Sequence, residues 1–192
     1  QIVQGEITSR KLTLADKASY FEERIRKRHV KDGFIRELAL LTPGKPEDGG
    51  ILHHSDNDGL WTGLYVAAMS FKYDATKDKR AKEWARESFE ALERLNEVTG
   101  IPGFPARSIV ETGWPEKYRY DGEWHPDRSG NWKWKGDTSS DELAGHFFAY
   151  SAYYDLAADE SEKQRIQKLV SNIMDRLIEN NWYLIDWTAS PR

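Results

Sequence analysis

The sequence lacks cysteine, long apolar runs and a strong charge of either sign, and each absence narrows the classes of protein it can encode. Without cysteine, the chain forms no disulfide and offers no thiolate to a metal or a substrate. No apolar run approaches the roughly 20 residues that a membrane-spanning helix needs, so we expect no membrane span. The net charge of -4 is ordinary for a globular domain and argues against nucleic acid as a partner.

Familiar catalytic and metal motifs are also missing. The chain contains no G-x-S-x-G, P-loop or G-x-G-x-x-G pattern. The segment "HHSDND" gathers His53, His54, Asp56 and Asp58, but adjacent histidines lack the spacing of a helical zinc pair. Its "DNDG" portion resembles part of a calcium loop without the remaining ligands, so we predict no cofactor, with calcium as the nearest alternative.

Aromatic residues are abundant instead. The chain has 8 Trp, 9 Tyr and 7 Phe, and many of them lie in polar segments rich in Gly and Pro rather than in apolar helices. This placement predicts a binding surface in addition to a core. Residue 1 is Gln rather than Met, which indicates that the start was removed, by a signal peptidase or during production. We therefore expect a secreted or periplasmic protein.

The apolar spacing predicts one domain over residues 1–192, with an irregular lead-in at 1–12 and helices separated by loops. A first helix starts at Thr13, capped with Asp16, and "VKDGFIRELAL" after it reads as a short strand or extended segment. Two apolar inner helices, over 55–76 and 139–157, are each followed by a charged outer helix, over 79–100 and 162–181. The pattern repeats, because Tyr73-Asp74 and Tyr154-Asp155 lie 81 positions apart (154 minus 73).

The segment over residues 101–137 is long, aromatic and irregular, which is typical of a functional loop. Within it "KYRYDGEWH" and "GNWKWK" alternate, so a hairpin with "HPDRSG" near its turn is expected. Flat rings suit sugar faces and basic groups suit hydroxyls or carboxylates, although the same rings would also suit a small satellite core. The predicted substrate-binding residues are Arg107, Trp114, Tyr118, Tyr120, Trp124, Trp132 and Trp134.

Both inner helices begin with clustered carboxylates. Neighbouring like charges raise one another's pKa, so a protonated acid and an ionised base can coexist near neutral pH. The clusters contain more carboxylates than one helix start requires. The predicted catalytic acids are Asp56 and Asp58 at the first start, and Asp137, Asp141 and Glu142 at the second.

Capping offers a structural explanation for part of each cluster. Ser55 with Asp58, and Ser139 with Glu142, match the capping box, so Glu142 is the acid that capping explains most completely. His146 follows Glu142 by four residues and shares its helix face. His146 is therefore either a further catalytic candidate or the partner of Glu142 in a buried hydrogen bond.

The segments "SDNDGLWTGLYVAA", "GFPARS" and "WKWKGDTSSDELAGHFFAY" resemble uncharacterised bacterial members of the six-hairpin glycosidase-like superfamily. The resemblance covers residues 50–187 and implies an all-α fold, an α/α toroid of helical hairpins. It implies an active site in the central cleft, lined by the acids above with Arg107 and His146. About five main helices with long aromatic loops amount to half a toroid. We therefore expect the chain to self-associate or to continue into a missing C-terminal half, because exposed inner helices are unfavourable.

Three hypotheses for function follow. The first is a glycoside hydrolase-like enzyme acting on a poly- or oligosaccharide, with Asp141 or Glu142 as the acid and Asp56 or Asp58 as the base. The second is a uronate polysaccharide lyase or epimerase, in which a tyrosine of the loop (Tyr118) or His146 abstracts a proton and Arg107 neutralises the carboxylate. The third is a half-toroid that binds sugar or acts as a scaffold without catalysis.

Overall fold

The computed structural model describes residues 11–114 and 122–188. These residues form five α-helices, one short 3-10 helix (Pro46–Asp48) and seven short strands. The helices are α1 (Leu14–Arg28), α2 (Asp58–Thr76), α3 (Lys79–Glu97), α4 (Ser140–Leu156) and α5 (Glu160–Glu179). The strands are β1 (Val30–Lys31), β2 (Phe34–Ile35), β3 (Glu37–Leu40), β4 (Gly50–His53), β5 (Ser108–Glu111), β6 (Trp124–Pro126) and β7 (Trp132–Lys135).

The prediction of an all-α fold is wrong, because the connections between helices form sheets. β1 pairs with β2, β3 pairs with β4, and β7 lies between β5 and β6, all antiparallel. Backbone N–H and C=O groups in a folded chain need partners, and the apolar connections find them across hairpins. The result is a mixed protein of helical hairpins and three small antiparallel sheets. The hairpin expected around "HPDRSG" is confirmed by the pairing of β6 with β7.

The two helical hairpins share equivalent turns. Asp78 caps α3 by accepting from the Arg80 N–H, and Asp159 caps α5 through a capping box with Glu162. These caps are 81 positions apart (159 minus 78), the same interval as the Tyr-Asp pairs. The predicted repeat of inner helix, tight turn and outer helix is thus present in the fold. Each turn reverses the chain and packs an amphipathic outer helix against an inner helix.

The inner helices α2 and α4 pack side by side and run parallel, and theirs is the most extensive contact between described elements. Two glycines permit the close approach. A Cβ at Gly63 would overlap the carbonyl oxygen of Gly145, and a Cβ at Gly145 would lie 2.6 Å from the Leu60 Cα. The outer helices cover the other side, with Phe89 and Leu92 of α3 fully buried. The close helix pair brings the amino-terminal ends of α2 and α4 together.

Helix α1 starts with the predicted capping box between Thr13 and Asp16. Leu14 and Phe21 on its apolar side are nevertheless 86% and 58% exposed, whereas Ile25 packs against the core. Its Glu22 instead pairs with Lys72 of α2.

Among the described residues, no helix has the length and apolar character to cross a bilayer.

Candidate functional site

The two acidic helix starts meet around Arg107, which lies just before β5. Its Nε–H donates to the Asp56 carbonyl oxygen at 2.9 Å, and Nη1 donates to the Asp137 carbonyl oxygen at 2.6 Å. Lys135 of β7 donates to Asp56 Oδ1 at 2.6 Å. The pKa of Asp141 is lowered mainly by a hydrogen bond from Ser139 and, to a smaller extent, by the Arg107 charge. We call Asp56, Asp137 and Asp141 around Arg107 the acidic rim.

Asp58 lies below this rim in a buried ion pair. Its Oδ2 pairs with Arg36, and Ser108 donates a hydrogen bond to the same oxygen. Oδ1 accepts from the Ser55 N–H at 3.1 Å, so both carboxylate oxygens are engaged. Arg36 also donates to the Ile109 carbonyl oxygen at 2.7 Å. A charge buried with this many partners links Arg36, which directly follows β2, to β5 and α2, and this favours a structural role for Asp58.

Glu142 has the most perturbed environment of the predicted acids. It is 0% exposed, and its Oε2 accepts from the Leu60 N–H of α2 at 3.1 Å. Burial, with a smaller contribution from the nearby Asp58 charge, raises the pKa of Glu142 to about 8. Its Oε1 has no hydrogen-bond partner among the described residues. Glu142 is therefore a carboxyl group that holds a proton near neutral pH.

Asp141, the residue before Glu142, is exposed, and its pKa is lowered rather than raised. A hydrogen bond donated by the Ser139 hydroxyl is the largest cause that lowers the pKa of Asp141. Ser139 is the N-cap of α4, but its side chain makes no cap bond to the helix backbone. The predicted capping box of Ser139 with Glu142 is therefore wrong, since Glu142 caps α2 instead.

His146 lies one helical turn beyond Glu142 and is fully buried. Its Nδ1 is 3.0 Å from the Tyr150 hydroxyl, which accepts from Asn96 at 2.9 Å. Because that hydroxyl accepts from Asn96, it is free to donate to Nδ1. Burial lowers the pKa of His146 to about 4, which keeps the ring neutral at physiological pH. The expected hydrogen bond between Glu142 and His146 is not formed.

The predicted sugar-binding aromatics divide between the interior and the surface. Trp134 and Trp114 are buried, and Trp134 belongs to the main core. Trp132 is half-buried against that core, and Trp124 packs edge-on to His54 with ring centroids 4.8 Å apart. Tyr118 and Tyr120 lie outside the described residues. The satellite-core interpretation therefore accounts for part of this set.

Trp187, an aromatic residue beside the acidic rim, was not among the predicted site residues. Trp187 is 37% exposed, and its ring lies against Gly136, directly before Asp137. Its Nε1–H donates to Glu123 Oε2 at 2.7 Å, and its ring centroid lies 4.3 Å from that of His125. The long sequence interval between Gly136 and Trp187 carried no signal that they meet. Trp187 and Glu123 thus add a ring and a carboxylate to the surface next to Asp137.

The described residues offer no group of three His, Asp or Glu side chains suited to hold a metal ion. In "HHSDND", Asp58 is occupied by Arg36 and Ser108, while the His53 Nδ1 lies 2.9 Å from the His54 carbonyl oxygen. Because these groups point to different partners, they do not converge on a common ligand position.

A separate groove of about 710 Å³ lies between α1 and the β3–β4 hairpin. Arg24, Lys27, Leu38 and Leu52 contribute to its lining, and no residue of the acidic rim does. Comparison with protein families, curated proteins and solved structures found no match to this chain. The site is therefore defined by its own geometry: a carboxylate rim where two parallel inner helices begin, above a protonated glutamic acid.

Proposed function

We propose that this protein is a carbohydrate-active enzyme that hydrolyses glycosidic bonds at the acidic rim. The observation that carries the proposal is the contrast between two adjacent side chains at the start of α4. The pKa of Glu142 is raised to about 8, whereas that of Asp141 is lowered. Hydrolysis of a glycosidic bond needs one protonated and one ionised carboxyl group, and this pair provides both.

Each group has a distinct role in this proposal. Glu142 donates the proton to the leaving oxygen, and the ionised, exposed Asp141 acts as base or nucleophile. Asp58 is not the base, because Arg36 and Ser108 occupy its carboxylate. Since Glu142 lies beneath the first turn of α2, substrate binding must displace the turn that contains Gly59 and Leu60.

The surface beside the rim suits a sugar ring. Trp187 offers a partly exposed face next to Asp137, and Trp124 lies on β6 opposite Lys135, which holds Asp56. Arg107 joins the Asp56 and Asp137 backbones, so it fixes the distance between the two sides of the rim. A poly- or oligosaccharide with an apolar ring face and several hydroxyls matches this combination of groups.

The test is a screen of wild-type protein against oligosaccharides, with reducing-end release as the readout, followed by Asp141→Asn and Glu142→Gln. We expect each variant to lose about a hundredfold or more in activity, because general acid and base groups contribute about that much. Asp155→Asn is the matched control, since it removes an exposed carboxylate at the far end of the same helix. Full activity in Asp141→Asn contradicts the proposal.

The same screen distinguishes elimination from hydrolysis. A lyase produces an unsaturated uronate that absorbs in the ultraviolet, whereas hydrolysis does not. The burial of His146 and the engagement of Arg107 with two carbonyl groups favour hydrolysis.

A second candidate function is sugar binding without catalysis. The complete burial of Glu142 and His146 favours it, because neither group reaches solvent in this structure. This candidate predicts that calorimetry detects oligosaccharide binding while no product forms. Trp187→Ala then abolishes binding, whereas Glu142→Gln leaves it unchanged.

A further inference from the structure

The two helical hairpins are structural repeats, and the repeat defines which sides of the inner helices are equivalent. A residue of α2 corresponds to the residue of α4 that lies 81 positions later, as Tyr73 and Tyr154 show (154 minus 73). The caps Asp78 and Asp159 keep the same interval. Equivalent residues therefore occupy the same height and the same side of each hairpin.

The contact between α2 and α4 uses different sides of the two helices. On α2 the contacting side contains Leu60 and Gly63, and on α4 it contains Glu142 and Gly145. Applying the repeat interval to each side gives the position of its counterpart on the other helix. The counterparts of Glu142 and Gly145 are Trp61 and Leu64 on α2, and those of Leu60 and Gly63 are Asp141 and Ala144 on α4.

Both counterpart sides are open to solvent. Exposed residues recur along each helix at the spacing of one face. Four of the large apolar side chains on these faces, Trp61, Leu64, Phe71 and Phe148, are 43%, 42%, 52% and 45% exposed. The open face of α2 contains Trp61, Leu64, Ala68 and Phe71, and the open face of α4 contains Asp141, Ala144, Phe148 and Ser151.

We propose that copies of this chain associate head to tail, with the open face of α4 in one copy packed against the open face of α2 in the next. This contact repeats between copies the arrangement that α2 and α4 already have within one chain. Because the two faces differ, the interface is heterologous, and each copy keeps one open face for a further copy. The association test does not use enzymatic activity as a readout, although Asp141, the base of the proposed hydrolysis, lies at the amino-terminal end of the same α4 face.

The side-chain sizes on the two faces match this arrangement. In the internal contact, Gly63 meets Gly145, so the equivalent contact between copies places Ala144 opposite Leu64. Continuing at helical spacing places a large side chain opposite a small one at each level, as interdigitated packing requires. The facing pairs are Ala144 with Leu64, Phe148 with Ala68, and Ser151 with Phe71.

Sedimentation velocity of the whole chain over a wide concentration range tests the proposal. Wild-type protein is expected to form species heavier than the 22.2 kDa chain as concentration rises. Leu64→Glu blocks only the α2 face and Ala144→Glu blocks only the α4 face, so each variant alone is expected to be a monomer. When mixed, each supplies the face that the other lacks, and the mixture is expected to form a one-to-one dimer and nothing larger.

Ile178→Glu, which adds the same charge to an exposed apolar site on α5, is the matched control and is expected to associate like wild type. Circular dichroism and melting curves show whether each variant remains folded. We expect both to fold, because Leu64 and Ala144 are exposed. A wild-type monomer at every concentration overturns the proposal. A mixture of the two folded variants that stays monomeric also overturns it, and so does normal association by either variant alone.

Discussion

The backbone N–H of Leu60 in α2 donates a hydrogen bond to the Glu142 carboxyl of α4 at 3.1 Å. The first turn of a helix has N–H groups without intrahelical partners, and this one is satisfied by a side chain of the neighbouring helix. The bond fixes the amino-terminal ends of the two inner helices side by side. It also places the most perturbed carboxyl group of the chain directly beneath the acidic rim.

The burial of Glu142 makes stability depend on pH. Its pKa is about 8 in the folded protein against an ordinary value of 4.5, so between these values the folded state holds a proton that the unfolded chain has released. Stability from this group is complete below the unfolded pKa and is lost as pH rises through the folded pKa. Glu142→Gln keeps the shape without the titration. As pH rises, we expect this variant to become more stable than wild type by about a few kcal/mol.

Urea unfolding of both proteins between pH about 5 and about 9 measures this difference. The slope of the unfolding free energy against pH is set by the difference in bound protons between the unfolded and folded states. Glu160→Gln removes an exposed carboxylate from the first turn of α5 and serves as control. If the difference in stability between wild type and Glu142→Gln does not change with pH, Glu142 stays ionised in the fold and the prediction is wrong.

The buried pair of Arg36 and Asp58 is expected to dominate the stability of the sheet and helix junction. Arg36→Met leaves the Asp58 charge without its main partner and should lower the free energy of unfolding by about 3 to 5 kcal/mol. The double variant Arg36→Met with Asp58→Asn should recover part of that loss, because the uncompensated charge is gone. Chemical denaturation measures both, and Lys163→Ala, which breaks an exposed pair, should change little.

Gly63→Ala separates helix propensity from packing. Alanine favours a helix over glycine by about 1 kcal/mol, so propensity alone predicts a more stable protein. The new Cβ would overlap the Gly145 carbonyl oxygen, so we expect a loss of about 1 to 3 kcal/mol instead. Ala68→Gly, on the open side of α2, gives the propensity difference without the close contact. A stabilised Gly63→Ala protein would show that α2 and α4 are not so closely packed.

Arg107 is expected to hold the two sides of the rim together. Arg107→Ala removes two hydrogen bonds to backbone carbonyls and should cost about 1 to 3 kcal/mol, since each such bond contributes about 0.5 to 1.5 kcal/mol. Hydrogen exchange should show faster exchange at residues 55–57 and 136–138 in particular. Arg128→Ala, an exposed site, is the control, and equal exchange in both variants contradicts the role of Arg107.

Much of the helical framework follows from local sequence. Thr13 with Asp16, Asp78 and Asp159 all cap helices, because a side chain within three residues of a free N–H needs no tertiary contact to reach it. The strands were less predictable. β5 and β7 are only four residues each, and their pairing joins segments more than 20 residues apart, which local pattern does not record.

In the acidic site, too, some features follow from local sequence and others depend on tertiary contacts. Arg107 binds the backbone carbonyls of Asp56 and Asp137, so the two acidic helix starts lie together in the fold. The capping interpretation of Glu142 failed, because its partner is the Leu60 N–H of another helix rather than its own backbone. No pattern near Asp58 reveals that it is paired with Arg36, which lies between β2 and β3, and with Ser108 of β5.

The sequence by itself determined the helices, the caps of α1, α3 and α5 and the 81-residue repeat, since these depend on periodicity and on contacts within one turn. Only the tertiary structure decided which carboxylate is buried, which is paired and which faces solvent. Burial beneath α2 raises the pKa of Glu142 and depends on groups far apart in the chain, whereas a hydrogen bond from the nearby Ser139 is the largest cause that lowers the pKa of Asp141. Two adjacent acids of similar chemistry therefore acquired opposite protonation states through their positions in the fold.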